Sequence, residues 1–286
     1  MSDAKGMSFR ARMNNLAKSY GLRPQTVIQN YMFERFLERL EKSIYRDNFV
    51  IKGGVLISSI VGLGARATMD VDTTAVDVPF NMRSIRKAIS SICAEYVDDD
   101  VAFHVLRLER IKLNVEGYGG IRVKLDAQFH GLYVPFAIDV TVGDAVAAIN
   151  YSYPCQFSNN RQLQLKAYPV ETVLAEKCEA ILQRNVVGTR PRDYYDVYLL
   201  MRSRKVAKGR FRAALMATCE RRGTLSVLSA ATDILEAILN SKIQSDYWRR
   251  FQREFPYARE ISFEKAVEAV RSLLMPKLQN SNKTAR

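Results

Sequence analysis

The stretch "NFVIKGGVLISSIVGLGARATMDVD" at residues 48–72 limits the fold more than any other part of the chain. A short apolar run stops at Gly53 and Gly54, which predicts a buried strand running into a tight turn. "VLISSIVGLGA" then reads as a helix closed by glycine, and Thr68 to Val78 as a second strand. Side chains on a strand alternate, so Asp70 and Asp72 are expected on one face. Two carboxylates on a strand that otherwise reads as core repel each other and need a cation or a proton to coexist. Taken alone, the pair also fits exposed strand-end residues, and the two glycines also fit a simple turn.

A third acid has the same character. In "YVPFAIDVTVGD" the alternation puts Val134, Phe136, Ile138, Val140 and Val142 on one side and Asp139 on the other, beside Ala137 and Thr141. An acid among small neighbours on a central-looking strand is uncommon. Were that strand adjacent to the one carrying Asp70 and Asp72, three carboxylates could hold two divalent ions ~4 Å apart, the arrangement for in-line phosphoryl transfer. Oxygen ligands of this kind suit Mg²⁺ or Mn²⁺. Gly53 and Gly54 open a helix, where backbone N–H groups can approach a phosphate, and Lys52 and Arg66 add positive charge.

The rest of the chain reads as α+β followed by all-helical. Residues 8–46 predict two helices broken at "GLRP", the second with an apolar stripe of Ile28, Tyr31, Met32, Phe36 and Leu40. Residues 81–96 predict a helix with Ile85, Ile89, Ile92 and Cys93 on one side. Strands are expected at 101–114, 120–130 and 132–143, with "EGYGG" as a hairpin turn between the first two. After Pro169 helices run almost to the end. The expected domains are 1–165, two helices plus a mixed sheet, and 166–286, helical.

In "PVETVLAEKCEAILQR" Lys177 lies on the apolar stripe with Val173, Leu174, Cys178 and Ile181, so it needs a partner or a pocket. In "TRPRDYYDVYLL" Thr189 is the expected N-cap, and Asp193 shares a face with Val197 and Leu200. A Lys177–Asp193 pair lining a cleft follows, with Arg184 and Arg192 lending charge. The bland alternatives are a snorkelling lysine and an acid that complements the helix dipole.

Lys plus Arg number 43 against 30 Asp plus Glu, a net +13, which favours a polyanionic partner. "YWRRFQREF" at 247–255 mixes aromatic and basic residues in a way suited to base stacking and backbone contact, or to an amphipathic helix. Four dispersed cysteines and two histidines make a zinc site or a His-based triad hard to assemble. The sequence lacks a signal peptide's apolar run and any membrane-spanning run, so a cytoplasmic protein is expected.

Strand, glycine pair, helix and acidic strand resemble the palm of polymerase-beta-type nucleotidyltransferases. "NFVIKGGVLI", "RATMDVD", "VETVLAEKCEAILQR" and "RPRDYYDVYLL" together resemble the AbiEii/AbiGii toxin nucleotidyltransferases of type IV toxin–antitoxin systems. The resemblance covers about residues 15–205. It implies Mg²⁺-dependent transfer of a nucleotide from an NTP to the 3′ end of RNA, here tRNA, which would block translation. Asp70 and Asp72 match the family's metal-binding acids, Lys177 its "AEK" lysine and Asp193 its "RDxxD" aspartate. Asp139 corresponds by placement as a metal ligand or general base. Lys52, Gly53, Gly54, Arg66, Thr68 and Arg192 are the expected nucleotide-binding residues. Val55 departs from the Thr or Ser that many relatives carry after the glycines, removing a hydroxyl contact to phosphate. The protein is expected to be a monomer, with a cognate antitoxin that acts without a stable complex. The alternatives are a non-catalytic nucleic-acid- or antitoxin-binding protein that keeps the palm, and a kinase that redirects the transfer to protein.

Overall fold

The computed structural model describes residues 2–111, 119–142, 148–158 and 160–275. The fold is α+β, and the chain forms two compact units, Met1–Pro169 and Val170–Arg286.

The first unit opens with helices α1 (Ser2–Tyr20) and α2 (Pro24–Lys42), separated by Gly21 in a left-handed turn. α1 is amphipathic in the ordinary way: Phe9, Met13 and Ala17, four residues apart, are its buried stripe. α2 is not. Every residue from Val27 to Leu40 is buried, including Gln29, Asn30, Glu34, Arg35, Glu38 and Arg39. The stripe expected from the sequence is therefore only part of its contact surface. Its charged face is buried because the charges meet partners. Arg39 forks onto both oxygens of Asp99 at 2.8 Å, Arg35 contacts Glu34 at 2.9 Å and Glu38 at 3.0 Å, and Glu34 accepts from the Gln156 and Phe157 amides.

The sheet follows: β1 (Phe49–Lys52), helix α3 (Gly53–Val61), β2 (Val71–Ala75), helix α4 (Met82–Ala94), β3 (Ala102–Ile111), β4 (Gly120–Phe129), β5 (Leu132–Thr141), β6 (Ile149–Pro154) and β7 (Gln162–Ala167). These make a seven-stranded mixed sheet in the order β3-β4-β5-β2-β1-β7-β6. β2 lies parallel to β5 and antiparallel to β1, and β1 lies parallel to β7. Sequence reading missed β6 and β7, although the alternation in "QLQLKA" buries Leu163 and Leu165 as a strand should. The expected "EGYGG" turn falls mostly outside the described residues. On β4 and β5 the apolar residues Ile121, Val123, Leu125, Val134, Phe136, Ile138 and Val140 face the core, which α2 and α4 cover. The opposite face of these strands carries the polar side chains.

The second unit contains α5 (Val170–Arg184), α6 (Pro191–Ser203), α7 (Lys208–Arg222), α8 (Ser226–Ser229), α9 (Ala231–Asn240), α10 (Lys242–Glu254) and α11 (Phe263–Leu274). Ser241 and Ser262 cap α10 and α11, and Gly223 closes α7 in a left-handed conformation. The N-cap of α6 is Arg190, not Thr189, and makes no side-chain cap bond; Pro191 supplies the first-turn geometry instead. Among the described residues no helix is long and apolar enough to cross a membrane.

Candidate active site

Strand pairing puts five charged residues in one row across the sheet. Lys52 on β1 pairs with Asp72 on β2, Asp72 with Asp139 on β5, Asp139 with Arg122 on β4, and Arg122 with Glu109 on β3. The side-by-side placing of β2 and β5 that the sequence left open is therefore present. Carboxylate oxygens of Asp70, Asp72 and Asp139 lie within 4.8 Å of one another.

Asp70 reaches this group by a different route from the one expected. β2 begins at Val71, so Asp70 belongs to the bend before the strand, and strand alternation does not aim it. Thr68 holds the bend: its hydroxyl lies 3.2 Å from the Asp70 carbonyl and 3.3 Å from Asp70 Oδ1, and Asn30 Nδ2 donates to the Thr68 carbonyl at 2.8 Å. Thr68 is buried, as is Arg66, whose guanidinium donates to the Ala67 carbonyl. Both were expected at the nucleotide, and both lie beside Gly54.

The glycines are explained by what surrounds them. Gly53 has φ +57°, and a Cβ there would lie 2.0 Å from Asp72 Oδ2. A Cβ on Gly54 would lie 2.3 Å from the Thr68 hydroxyl. The amide of Gly54 donates to Asp72 Oδ2 at 3.3 Å, so the start of α3 supports the carboxylate directly. The Gly53→Ala variant therefore has to move Asp72 and adopt a strained backbone. The expected result is a loss of about 2–3 kcal/mol in thermal or urea unfolding, together with loss of the acid's position.

Burial, and then repulsion from Asp70 and Asp139, pushes the Asp72 carboxyl up to about 6, against the pull of Lys52 and the Gly54 amide. A partly buried, all-oxygen, over-anionic donor set of this kind fits a hard divalent cation. Lys52 also lies over the Tyr168 ring, its Nζ 5.2 Å from the centroid.

In the helical unit, Lys177 on α5 reaches two carboxylates of α6, Asp193 Oδ1 and Asp196 Oδ2, each at 2.7 Å. Arg184 Nη1 lies 3.3 Å from Asp193 Oδ2. Sequence reading paired Lys177 with Asp193 and did not assign Asp196, which is fully buried. The signal was there: Asp196 is one helical turn from Asp193 on the same face. Burial alone would lower the Lys177 ammonium, but Asp193 and Asp196 outweigh it and hold it above the ordinary lysine value. Lys177 is thus held as a charged hydrogen-bond donor. Arg192, expected at the nucleotide, has its guanidinium over the Phe255 ring, 4.6 Å from the centroid.

Two of the three aromatic residues of α10 are turned inward and are not available for base stacking. Trp248 and Phe251 are core residues packed with Phe263 and Tyr195, and Trp248 Nε1 donates to the Ile261 carbonyl at 3.0 Å. Their spacing is that of an amphipathic helix, whose exposed face carries Arg249, Arg250 and Arg253.

Sequence reading also missed Arg122. Its Nε and Nη2 donate to Asp139 Oδ1 and Oδ2, each at 2.7 Å. Nothing in the linear sequence marks it, because only the β4–β5 register brings it to Asp139.

Comparison with known proteins identifies the family and the fold. A family profile described as "Nucleotidyl transferase AbiEii toxin, Type IV TA system" matches residues 35–269. Among solved structures the fold is similar to MenT4, a nucleotidyltransferase toxin from Mycobacterium tuberculosis H37Rv. That match has a TM-score of 0.53 at 14% identity and covers 93% of this chain and 97% of that one. It is also similar to a putative nucleotidyltransferase from H. pylori, with a TM-score of 0.52 at 13% identity, covering 88% of this chain and 94% of that one. No curated protein matches the sequence. With the family profile spanning most of its length, the chain belongs to the AbiEii family of type IV toxin–antitoxin nucleotidyltransferases and is itself a nucleotidyltransferase.

Proposed function

We propose that the protein transfers a nucleotide from an NTP to the 3′ end of an RNA, a tRNA, and so stops translation. The observation that carries the chemistry is the meeting of Asp70, Asp72 and Asp139 beside the glycine start of α3. In this reading the three acids hold Mg²⁺, or Mn²⁺ in its place. The bound ion neutralises charge developing on the triphosphate and lowers the pKa of the attacking hydroxyl.

The protein's own groups do the rest. The 3′-hydroxyl oxygen forms a bond to the α-phosphorus, the bond from that phosphorus to the bridging oxygen breaks, and pyrophosphate leaves. Asp72, or Asp139, takes the hydroxyl proton. Lys52 offsets charge in the row. The start of α3 at Gly53 and Gly54 offers the triphosphate the positive end of a helix. Lys177 and Asp193 are further residues required for transfer, Lys177 as a permanently charged donor. The surplus of basic residues favours a nucleic-acid acceptor over a small molecule.

The test is direct. Purified protein is incubated with total RNA and each α-³²P-labelled NTP in turn, with Mg²⁺ or with EDTA. The expected result is label on tRNA-sized RNA, removable from the 3′ end and absent with EDTA. Label on protein, or on no acceptor with any NTP, overturns the proposal.

A further inference from the structure

The ion pair between Arg122 and Asp139 is unequal in a way that bears on how the acidic group works. Both Asp139 oxygens are taken by the guanidinium fork at 2.7 Å, yet oxygens of the same carboxyl cluster belong within 4.8 Å of Asp70 and Asp72. The Asp139 side chain is only 13% exposed and sits within β5, paired on both sides, whereas that of Arg122 is 42% exposed. Of the two partners, only the arginine can swing into water cheaply. The acidic group sets Asp70, Asp72 and Asp139 against the two cations Lys52 and Arg122, and each cation flanks one end of the Asp72–Asp139 pair. A divalent cation arriving at Asp139 meets a carboxylate already neutralised by a strong, bidentate donor.

We propose that Arg122 is a positioning residue, an internal counter-cation that holds Asp139 while the acidic group lacks a metal and must yield its hold when a divalent cation binds. Arg122 thereby sets the metal affinity of the site. The inference rests on the reading of Asp70, Asp72 and Asp139 as a metal centre. It predicts that removing the guanidinium strengthens metal binding, the reverse of what a supporting residue would show.

The experiment is Mn²⁺ titration of the nucleotide-free protein, with free Mn²⁺ followed by its EPR signal. R122Q is neutral and of similar reach. It is expected to bind Mn²⁺ about tenfold tighter than wild type, the order set by losing one charge-assisted competitor. Its melting temperature should also rise more steeply with added Mn²⁺. R122K keeps the charge without the fork and should fall between the two; it also serves as the readout if R122Q does not fold. In a D139N background, R122Q should change Mn²⁺ affinity less than about twofold, because the competition has been removed. Unchanged or weaker Mn²⁺ binding in both R122Q and R122K, with normal binding by wild type that D72N abolishes, overturns the inference and leaves the metal centre standing. Absence of Mn²⁺ binding in wild type and both variants overturns the metal centre and the inference together.

Discussion

Asp72→Asn is expected to abolish nucleotide transfer, to below about a thousandth of the wild-type rate, while making the metal-free protein more stable. Both effects come from the crowding of Asp72 by Asp70 and Asp139. Asparagine keeps an oxygen for the Gly54 amide and nearly the same shape, so the start of α3 is undisturbed. In the proposed mechanism it removes a charge that helps hold the cation. The stability effect has the opposite sign because the folded state raises this carboxyl to about 6. An acid raised on folding costs nothing below its unfolded value near 4. Its penalty develops between about pH 4 and 6 and is complete above 6. At pH 7.5 in EDTA the asparagine variant should recover about 2–3 kcal/mol, seen as a melting temperature higher by several degrees. That advantage should fade as the pH falls towards 4. Added Mg²⁺ should stabilise wild type and leave the variant unmoved. A variant that melts lower than wild type in EDTA at pH 7.5 would show that Asp72 is not held under electrostatic load.

The second large effect is expected from Lys177→Met in the helical unit. Methionine fills the volume but leaves Asp193 and the fully buried Asp196 without the ammonium that sits 2.7 Å from each. Breaking such a buried pair from one side costs about 3–5 kcal/mol. Thermal unfolding should show the loss, and transfer activity should be gone. Stability and function are separated by the double variant K177M/D196N, which removes the buried charge along with its partner. It should regain most of the lost stability, with transfer still absent. Transfer restored to near wild-type rates in that double variant would reduce Lys177 to a purely structural role.

How much of this was legible in the sequence follows from the range of each interaction. The order strand, glycine pair, helix, acid is local, so residues 48–72 display it directly. Lys177 announced itself by standing on an apolar stripe, and Asp193 by its place on the next helix. The row Lys52–Asp72–Asp139–Arg122–Glu109 was not readable, because it depends on strand order: β5 inserts beside β2, and β4 and β3 follow outward. Arg122 looks like any solvent-side arginine on an alternating strand until that register is known. Asp70 was assigned to the site by alternation, yet it reaches it through a bend held by Thr68, a contact between side chain and backbone with no periodic signature. The aromatic residues of α10 misled for the opposite reason: composition suggested stacking, while spacing already placed Trp248 and Phe251, three apart, on one buried face.

The engulfed helix α2 has a consequence for where the catalytic unit starts. With fourteen successive residues from Val27 to Leu40 out of solvent, it is an axle around which the sheet and α1 are assembled, not an outer layer. Trimming the chain to begin inside it would empty a channel through the middle of the unit. The cut would also part Arg39 from Asp99, and Glu34 from the strand-end amides of Gln156 and Phe157. The sheet that carries Asp72 and Asp139 thus borrows its rigidity from this helix, whose Gln29 and Asn30 also hold the bend before β2.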